Sequence, residues 1–329
     1  MDGYVVDGPT TSGASRRWTT RDFVAKDAEW TSNGTLTILG AASSGRNAPS
    51  SLYEASAGKN PLQLKRIARG ILAMSQGPGG EGLVYAYVGG PRESGLALMR
   101  DGVIHRLFAD HVEGRVAALS LSPDGREAVL AVRPPGDAEV SELRIFDTRT
   151  GEGREITRLG GKQEILGAPQ WTKQGLYFVA GKEKASTDAD GTDPLYDLYR
   201  APTAGGEPEP APGVGEDFVA ASIRVSPDGE RLAVIGRLNP KAPANVYVLD
   251  LRTEDLKTVT TNEDMEIKTG PDDLAWSPGG KSVAIVARGT PSTEPEVRAA
   301  PASSLLKDFY NLYEIPVEGN VLADEEIQW

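Results

Sequence analysis

The chain has 329 residues, no cysteine, and a formal charge of −12 from 47 acidic and 35 basic side chains. The missing cysteines exclude disulfides, zinc–thiolate sites and thiol nucleophiles together. The acidic balance argues against nucleic acid or an anionic membrane as the main partner, because both reward basic patches. No apolar run approaches the ~18 residues of a membrane-spanning helix, so no direct membrane span is expected.

Met1-Asp2-Gly3 opens without a basic region or an apolar core, so no signal peptide is expected in this chain. The protein is then either cytoplasmic, or extracytoplasmic or membrane-anchored with a leader removed and Met1 added.

The 38 glycines and 23 prolines are spread throughout and punctuate short β-type runs, while long segments of helical period are missing. The pattern is all-β. Residues 1–14 read as an extended arm. The first repeat unit shows at Trp30-Thr31-Ser32-Asn33-Gly34, which leads into Thr35-Leu36-Thr37-Ile38-Leu39. In the second, Leu72-Ala73-Met74-Ser75 passes through a glycine-rich turn into Leu83–Val88. The third carries Leu121-Ser122-Pro123-Asp124-Gly125-Arg126-Glu127 before the apolar run Ala128-Val129-Leu130. Trp171-Thr172-Lys173-Gln174-Gly175 precedes Leu176–Val179 in the fourth. The fifth repeats Val225-Ser226-Pro227-Asp228-Gly229-Glu230-Arg231 before Leu232–Ile235. Trp276-Ser277-Pro278-Gly279-Gly280-Lys281 before Ser282–Ile285 completes six. In such turns Pro pre-sets φ for the first position and Gly accepts the left-handed conformation that closes a hairpin.

Unit starts near residues 30, 72, 118, 168, 222 and 273 are spaced roughly as four-stranded propeller blades are. A second marker counts six again, in a third strand of each unit: Leu52-Tyr53, Leu96–Met99, Leu143–Phe146, Leu198-Tyr199, Val246-Tyr247 and Leu312-Tyr313. Fourth strands are expected at Leu62–Ile67, Ile104–Phe108, Glu155–Leu159 and Leu256–Thr260, with a poor, Pro-rich one around Glu207–Pro212. The sixth unit lacks an obvious fourth strand. Arg16-Arg17-Trp18-Thr19-Thr20 looks like Lys257–Thr261, so the N-terminal segment is expected to supply that strand and close the ring, which protects strand edges. Ile327-Gln328-Trp329 is the alternative. The fold expected is a single all-β domain over 1–329, a six-bladed β-propeller of four-stranded blades.

The Ser-Pro-Asp-Gly hairpins and their spacing resemble the WD-repeat-like β-propeller repeats of the TolB-like family, over roughly residues 15 to 320. The resemblance implies blades around a central channel and binding of proteins or peptides at the channel mouth or on a face. The small α/β domain that precedes the propeller in TolB itself is absent from this sequence, as is a serine-hydrolase domain like that of some relatives. Pro123, Asp124, Gly125, Pro227, Asp228 and Gly229 carry over as turn formers.

Chemistry-bearing motifs are sparse. Gly77-Pro78-Gly79-Gly80-Glu81-Gly82 has the glycine spacing of a dinucleotide fingerprint, but that motif needs a helix after it to meet the phosphate. Here an apolar β-type run follows, so a hairpin loop is expected. The two histidines, His105 and His111, read as surface residues, and there is no Gly-x-Ser-x-Gly. Asp188, Asp190 and Asp193 surround a Gly turn and are candidate Ca²⁺ ligands, since alternating carboxylates offer the hard oxygens that ion prefers; a solvated acidic loop is the competing reading. Asn262–Glu266 and Pro271-Asp272-Asp273 form a second acidic group, either a solubilising rim or a lip that selects a basic partner. The stretch Gly289–Ser304 is long for a compact domain, and long loops are usually functional or floppy. With Pro291 and Pro295, and Leu305, Leu306, Phe309 and Tyr310 after it, it is the favoured partner-binding loop.

The leading functional expectation is a non-catalytic scaffold that binds a protein or peptide, as part of a larger assembly, with no organic cofactor. The alternative is a metal-dependent propeller hydrolase or lactonase with a site in the central channel.

Overall fold

The turns of blades three, four and five each close a hairpin whose second strand has a continuous buried run. Ala128–Val132, Leu176–Ala180 and Leu232–Ile235 are all buried. Continuous apolar runs of this kind, in place of strict alternation, are what a strand packed on both faces of its sheet requires. In the computed structural model the described residues are 4–5, 16–17, 24–30, 35–41, 50–56, 64–77, 82–91, 93–100, 103–106, 112–136, 140–160, 163–181, 195–261, 266–270, 273–277, 279–288, 298–299 and 311–317.

The chain forms two compact units, Met1–Arg158 and Leu159–Trp329. The first holds three antiparallel blades in chain order. Blade one is Val24–Trp30, Thr35–Ala41, Ser51–Ser56 and Lys65–Arg69. Blade two is Ile71–Gln76, Leu83–Gly90, Glu93–Arg100 and Val103–Arg106, with Val112–Glu113 added against its third strand. Blade three is Arg115–Leu121, Glu127–Arg133, Ser141–Asp147 and Gly153–Leu159. Neighbouring blades share cores: Leu52, Ile71, Met74 and Tyr85 pack together, and Val84, Leu96, Leu119 and Leu130 form the next cluster.

The second unit holds three more. Blade four is Ile165–Thr172, Gly175–Gly181, Tyr196–Ala201 and Glu209–Pro210; blade five is Val219–Val225, Arg231–Arg237, Asn245–Asp250 and Leu256–Thr258. Their common core joins Tyr177, Val179, Phe218, Leu232 and Tyr247. In blade six, Ser282–Arg288 pairs with Glu266–Ile267 and Leu274–Trp276 on one side and with Asn311–Pro316 on the other. The all-β arrangement of six four-stranded antiparallel blades is therefore present, with no helix among the described residues.

The edge of blade six differs from expectation. The position beyond Asn311–Pro316 is taken by Arg298–Ala299, from the long stretch that precedes that strand. Arg16–Arg17 pairs instead with Tyr4–Val5 in a two-stranded sheet of its own. Closing a short local loop costs less chain entropy than joining segments nearly a chain length apart, which favours the local hairpin. Residues 327–329, the alternative closure, lie outside the described residues.

A further regularity is invisible in the sequence pattern. The first strand of each of the first five blades carries a register shift against the second, at Ala25/Asp27, Ile71/Ala73, Val116/Ala118, Leu166/Gln170 and Ala220/Ser222. Such bulges bend a strand and increase its twist. In blade six the interruption widens until residues 268–273 separate the two halves of the first strand.

Candidate functional site

The repeated turn is built as scaffold. In blade five, Gly229 N–H donates to Ser226 O at 2.9 Å with Gly229 at φ 73°, and Ser226 N–H donates to Arg231 O at 2.8 Å. Asp228 Oδ1 accepts the Ser226 hydroxyl and the Glu230 N–H. Blade three repeats this with Ser122, Asp124 and Arg126. The hydroxyl and amide donors hold both aspartates below the usual carboxylate range. In blade six Gly279 replaces the Asp, and Ser277 still accepts from Gly280 N–H at 2.9 Å. In both aspartates Oδ1 is committed to closing the turn.

The turns of blades four to six stand on one edge of the second unit. Lys173 pairs with Glu230 at 3.6 Å, Arg231 Nη2 donates to Gly280 O at 2.9 Å, and Trp276 Nε1 donates to Arg224 O at 2.8 Å. Arg231 also lies over the Trp276 ring, 5.1 Å from its centroid, within the range of a cation–π contact. The opposite ends of the same strands therefore share the other edge. There Gly181 pairs with Tyr196, Gly236 with Asn245, and Ala287 with Asn311. The loops that join second to third strands leave and return on this edge in all three blades.

One of those loops, 238–244, faces the first half of the split strand in blade six across an open cleft of about 540 Å³. Arg237, Lys241, Ala242, Pro243, Ala244, Glu266 and Ile267 line it. Ile267 is buried in the apolar core of blades five and six, and Ala244 packs against the same core. The loop is ordered by its own chemistry: Asn239 Oδ1 accepts Lys241 N–H at 3.0 Å and Asn239 O accepts Ala242 N–H at 3.1 Å. Pro240 and Pro243 fix two of its φ angles. At its end, Thr260 donates to Asn245 at 2.7 Å and accepts Val246 N–H at 2.9 Å.

Most residues expected to carry function lie outside the described residues: Asp188, Asp190 and Asp193, and Pro291, Pro295, Leu305, Leu306, Phe309 and Tyr310. The described strand ends Gly181 and Leu195 do put the entry and exit of 182–194 on the edge that carries the cleft. Of the second acidic group, Glu266 and Asp273 are described, and both are ion-paired. Glu266 pairs with Arg288, and Asp273 with Lys268 at 2.9 Å while its other oxygen accepts Gly270 N–H. Gly77 and Gly82 bond across a hairpin at 2.8 Å, with strands on both sides, as a hairpin loop requires and a phosphate cradle does not. His105 is exposed on the fourth strand of blade two. Among the described residues no group of three or more His, Asp or Glu is placed to hold a metal. The cleft itself was missed, although Arg237-Leu238-Asn239-Pro240-Lys241-Ala242-Pro243 carries a signal: two bases in a Pro-punctuated loop of an acidic chain.

The fold is a TolB-like β-propeller. An oligogalacturonate lyase in complex with manganese has 14% identity and a TM-score of 0.59, over 98% of this chain and 97% of its own. A protein assigned as TolB from Agrobacterium tumefaciens has 14% identity and a TM-score of 0.52, over 92% and 95%. TolB from Acinetobacter baumannii has 17% identity and a TM-score of 0.49 over 82% of this chain, which spans 60% of that protein's length. At these identities the likeness is one of fold, and it is shared with an enzyme as well as with a protein assigned as TolB. No protein-family model matches the chain, and no curated protein matches it in sequence.

Proposed function

We propose that this chain is a non-catalytic binding propeller that takes a protein or peptide segment on the loop edge of its second unit. The observation that carries the reading is the cleft beside 238–244: open, bounded by a loop already ordered by Asn239 and two prolines, and floored by apolar groups tied to the core. A surface organised before binding loses little entropy on complex formation. The described strand ends that flank 182–194 and 289–310 lie at the same edge.

Panning a displayed dodecapeptide library on the immobilised full chain tests this. Enriched sequences that compete with one another and lose binding to a Pro243→Asp variant support it. Failure to enrich any sequence, or turnover of lactone or oligosaccharide substrates by the purified protein supplied with manganese, overturns it.

A further inference from the structure

We infer that the cleft selects an acidic peptide segment, one that sets a carboxylate between Arg237 and Lys241 and a small aliphatic side chain over Ala242, Ala244 and Ile267. This rests on the peptide-binding reading and names the chemistry of its ligand.

The sign of the charge is the central point. The chain as a whole is acidic, and the loops flanking blade six are among its acidic stretches, from which a basic partner is expected. In the structure the acidic groups described there are neutralised internally, Glu266 by Arg288 and Asp273 by Lys268. Arg237 and Lys241 have no ion-pair partner among the described residues, and both face the cleft. Among the described residues the cleft is lined by two cations without an ion-pair partner and one anion, Glu266, that is paired with Arg288, which makes its described lining net positive on a negative protein. Long-range attraction to a general polyanion is opposed by the remaining surface, whereas a short acidic segment that fits the cleft experiences mainly the local pair.

The two cations differ in a way that suits one carboxylate. Arg237 is half-buried at the end of the second strand of blade five, its backbone held by pairing with Val219, and its planar fork suits bidentate donation to a carboxylate. Lys241 is exposed at the loop tip, its backbone anchored by Asn239, and its flexible stem can close over a bound anion. Between them the lining is alanine, proline and isoleucine. That surface offers contact to a short aliphatic group.

Fluorescence anisotropy on the full chain separates the possibilities, using a fluorescein-labelled peptide of alternating glutamate and leucine, its glutamine and lysine counterparts, and an oligothymidylate of similar length. The acidic peptide should bind at least about tenfold more tightly than the glutamine form and weaken as salt is raised. Lys241→Glu combined with Arg237→Gln should remove that preference while circular dichroism and melting temperature stay unchanged, and Glu266→Gln should strengthen binding. Equal binding of the acidic and glutamine peptides, both displaced by Pro243→Asp, would overturn the acidic selection and leave the peptide-binding reading standing. Tighter binding of the lysine peptide or the oligothymidylate would also overturn it. Absence of binding by any peptide would remove both.

Discussion

Gln170 in blade four accepts, through Oε1, the backbone N–H of Val225 in blade five at 3.2 Å. Both residues sit near the end of a first strand, Gln170 two places and Val225 none from its last residue. The relationship recurs. Ser75 Oγ accepts Leu121 N–H at 3.3 Å between blades two and three, and Glu29 accepts Gln76 N–H between blades one and two. The last amide of a first strand is thus satisfied by a side chain from the preceding blade, in a part-buried position that gives it little water to bond instead. Gln170→Met keeps the volume and removes the acceptor. It should cost about 0.5–1.5 kcal/mol, the net worth of a typical hydrogen bond, and hydrogen exchange should show protection lost at Val225 while the core strand Leu232–Ile235 keeps its own.

The aspartates of the repeated turns give the fold an acid sensitivity of known sign. Asp124 and Asp228 are held below the ordinary carboxylate value first by the hydroxyls of Ser122 and Ser226 and next by backbone N–H groups. The folded carboxylate binds its proton more weakly than the unfolded one. Its contribution is therefore complete above the unfolded value of about 3.9 and is lost as pH falls through the lower folded value. Ser226→Ala should raise the Asp228 titration midpoint toward that ordinary value in a carboxyl-carbon NMR titration. Asp124→Asn with Asp228→Asn should make the fall of melting temperature below about pH 4 shallower than in the parent. An unmoved Asp228 midpoint in the serine variant would show that the hydroxyl is not the cause.

The blades were legible because their signals are local. A turn such as Ser122-Pro123-Asp124-Gly125 and an apolar run such as Leu176–Val179 declare a hairpin wherever they occur, and six at even spacing declare the architecture. What escaped was set by long-range pairing. The Gln170–Val225 link joins residues with no shared motif, since its counterparts are Ser75 and Glu29. The edge strand Arg298–Ala299 lies in a stretch that reads as loop, and neither residue has strong β propensity. Of the acidic group, Glu266 and Asp273 are paired with Arg288 and Lys268, partners that a sequence does not show. The cleft followed from the same blindness, its two cations being ordinary surface residues until the loop folds back toward Ile267.

Glu254 carries a strain that its counterpart avoids. It is at φ 62° in the loop after the third strand of blade five, and its N–H donates to Asp250 O at 2.9 Å. The matching loop of blade three places Gly151 there, at φ 78°, with the same bond to Asp147 O at 2.9 Å. A left-handed conformation costs an L-residue about 1–2 kcal/mol, while the exposed pair of Glu254 with Arg200 at 3.4 Å returns at most about 1 kcal/mol. Glu209 also pairs with Arg200, so the guanidinium keeps a partner. Glu254→Gly should stabilise the protein by up to about 1 kcal/mol, a rise of roughly 2–4 °C in melting temperature for a unit of this size. Glu254→Ala, which loses the ion pair and keeps the strain, should show no rise.

Gly236 tests the packing that supports the cleft. A Cβ there would stand 2.5 Å from Phe218 Cζ and 2.7 Å from Val219 O. Phe218 is almost fully buried and packs edge-on against Tyr247, with ring centroids 5.1 Å apart. The oxygen belongs to the backbone of the paired first strand and cannot move aside by rotamer change. Gly236→Ala should therefore cost about 1–3 kcal/mol, the usual penalty of overpacking. Gly215→Ala, where nothing lies within 4 Å of the new carbon, should stay within about 0.5 kcal/mol of the parent. Gly236 immediately precedes Arg237 in the strand, so a strand shift that relieves the clash displaces the backbone that carries Arg237. Binding of an acidic peptide by Gly236→Ala should weaken in step with the loss of stability. Stability lost with acidic-peptide affinity intact would mean that Arg237 is positioned by its own side-chain surroundings and not by the strand.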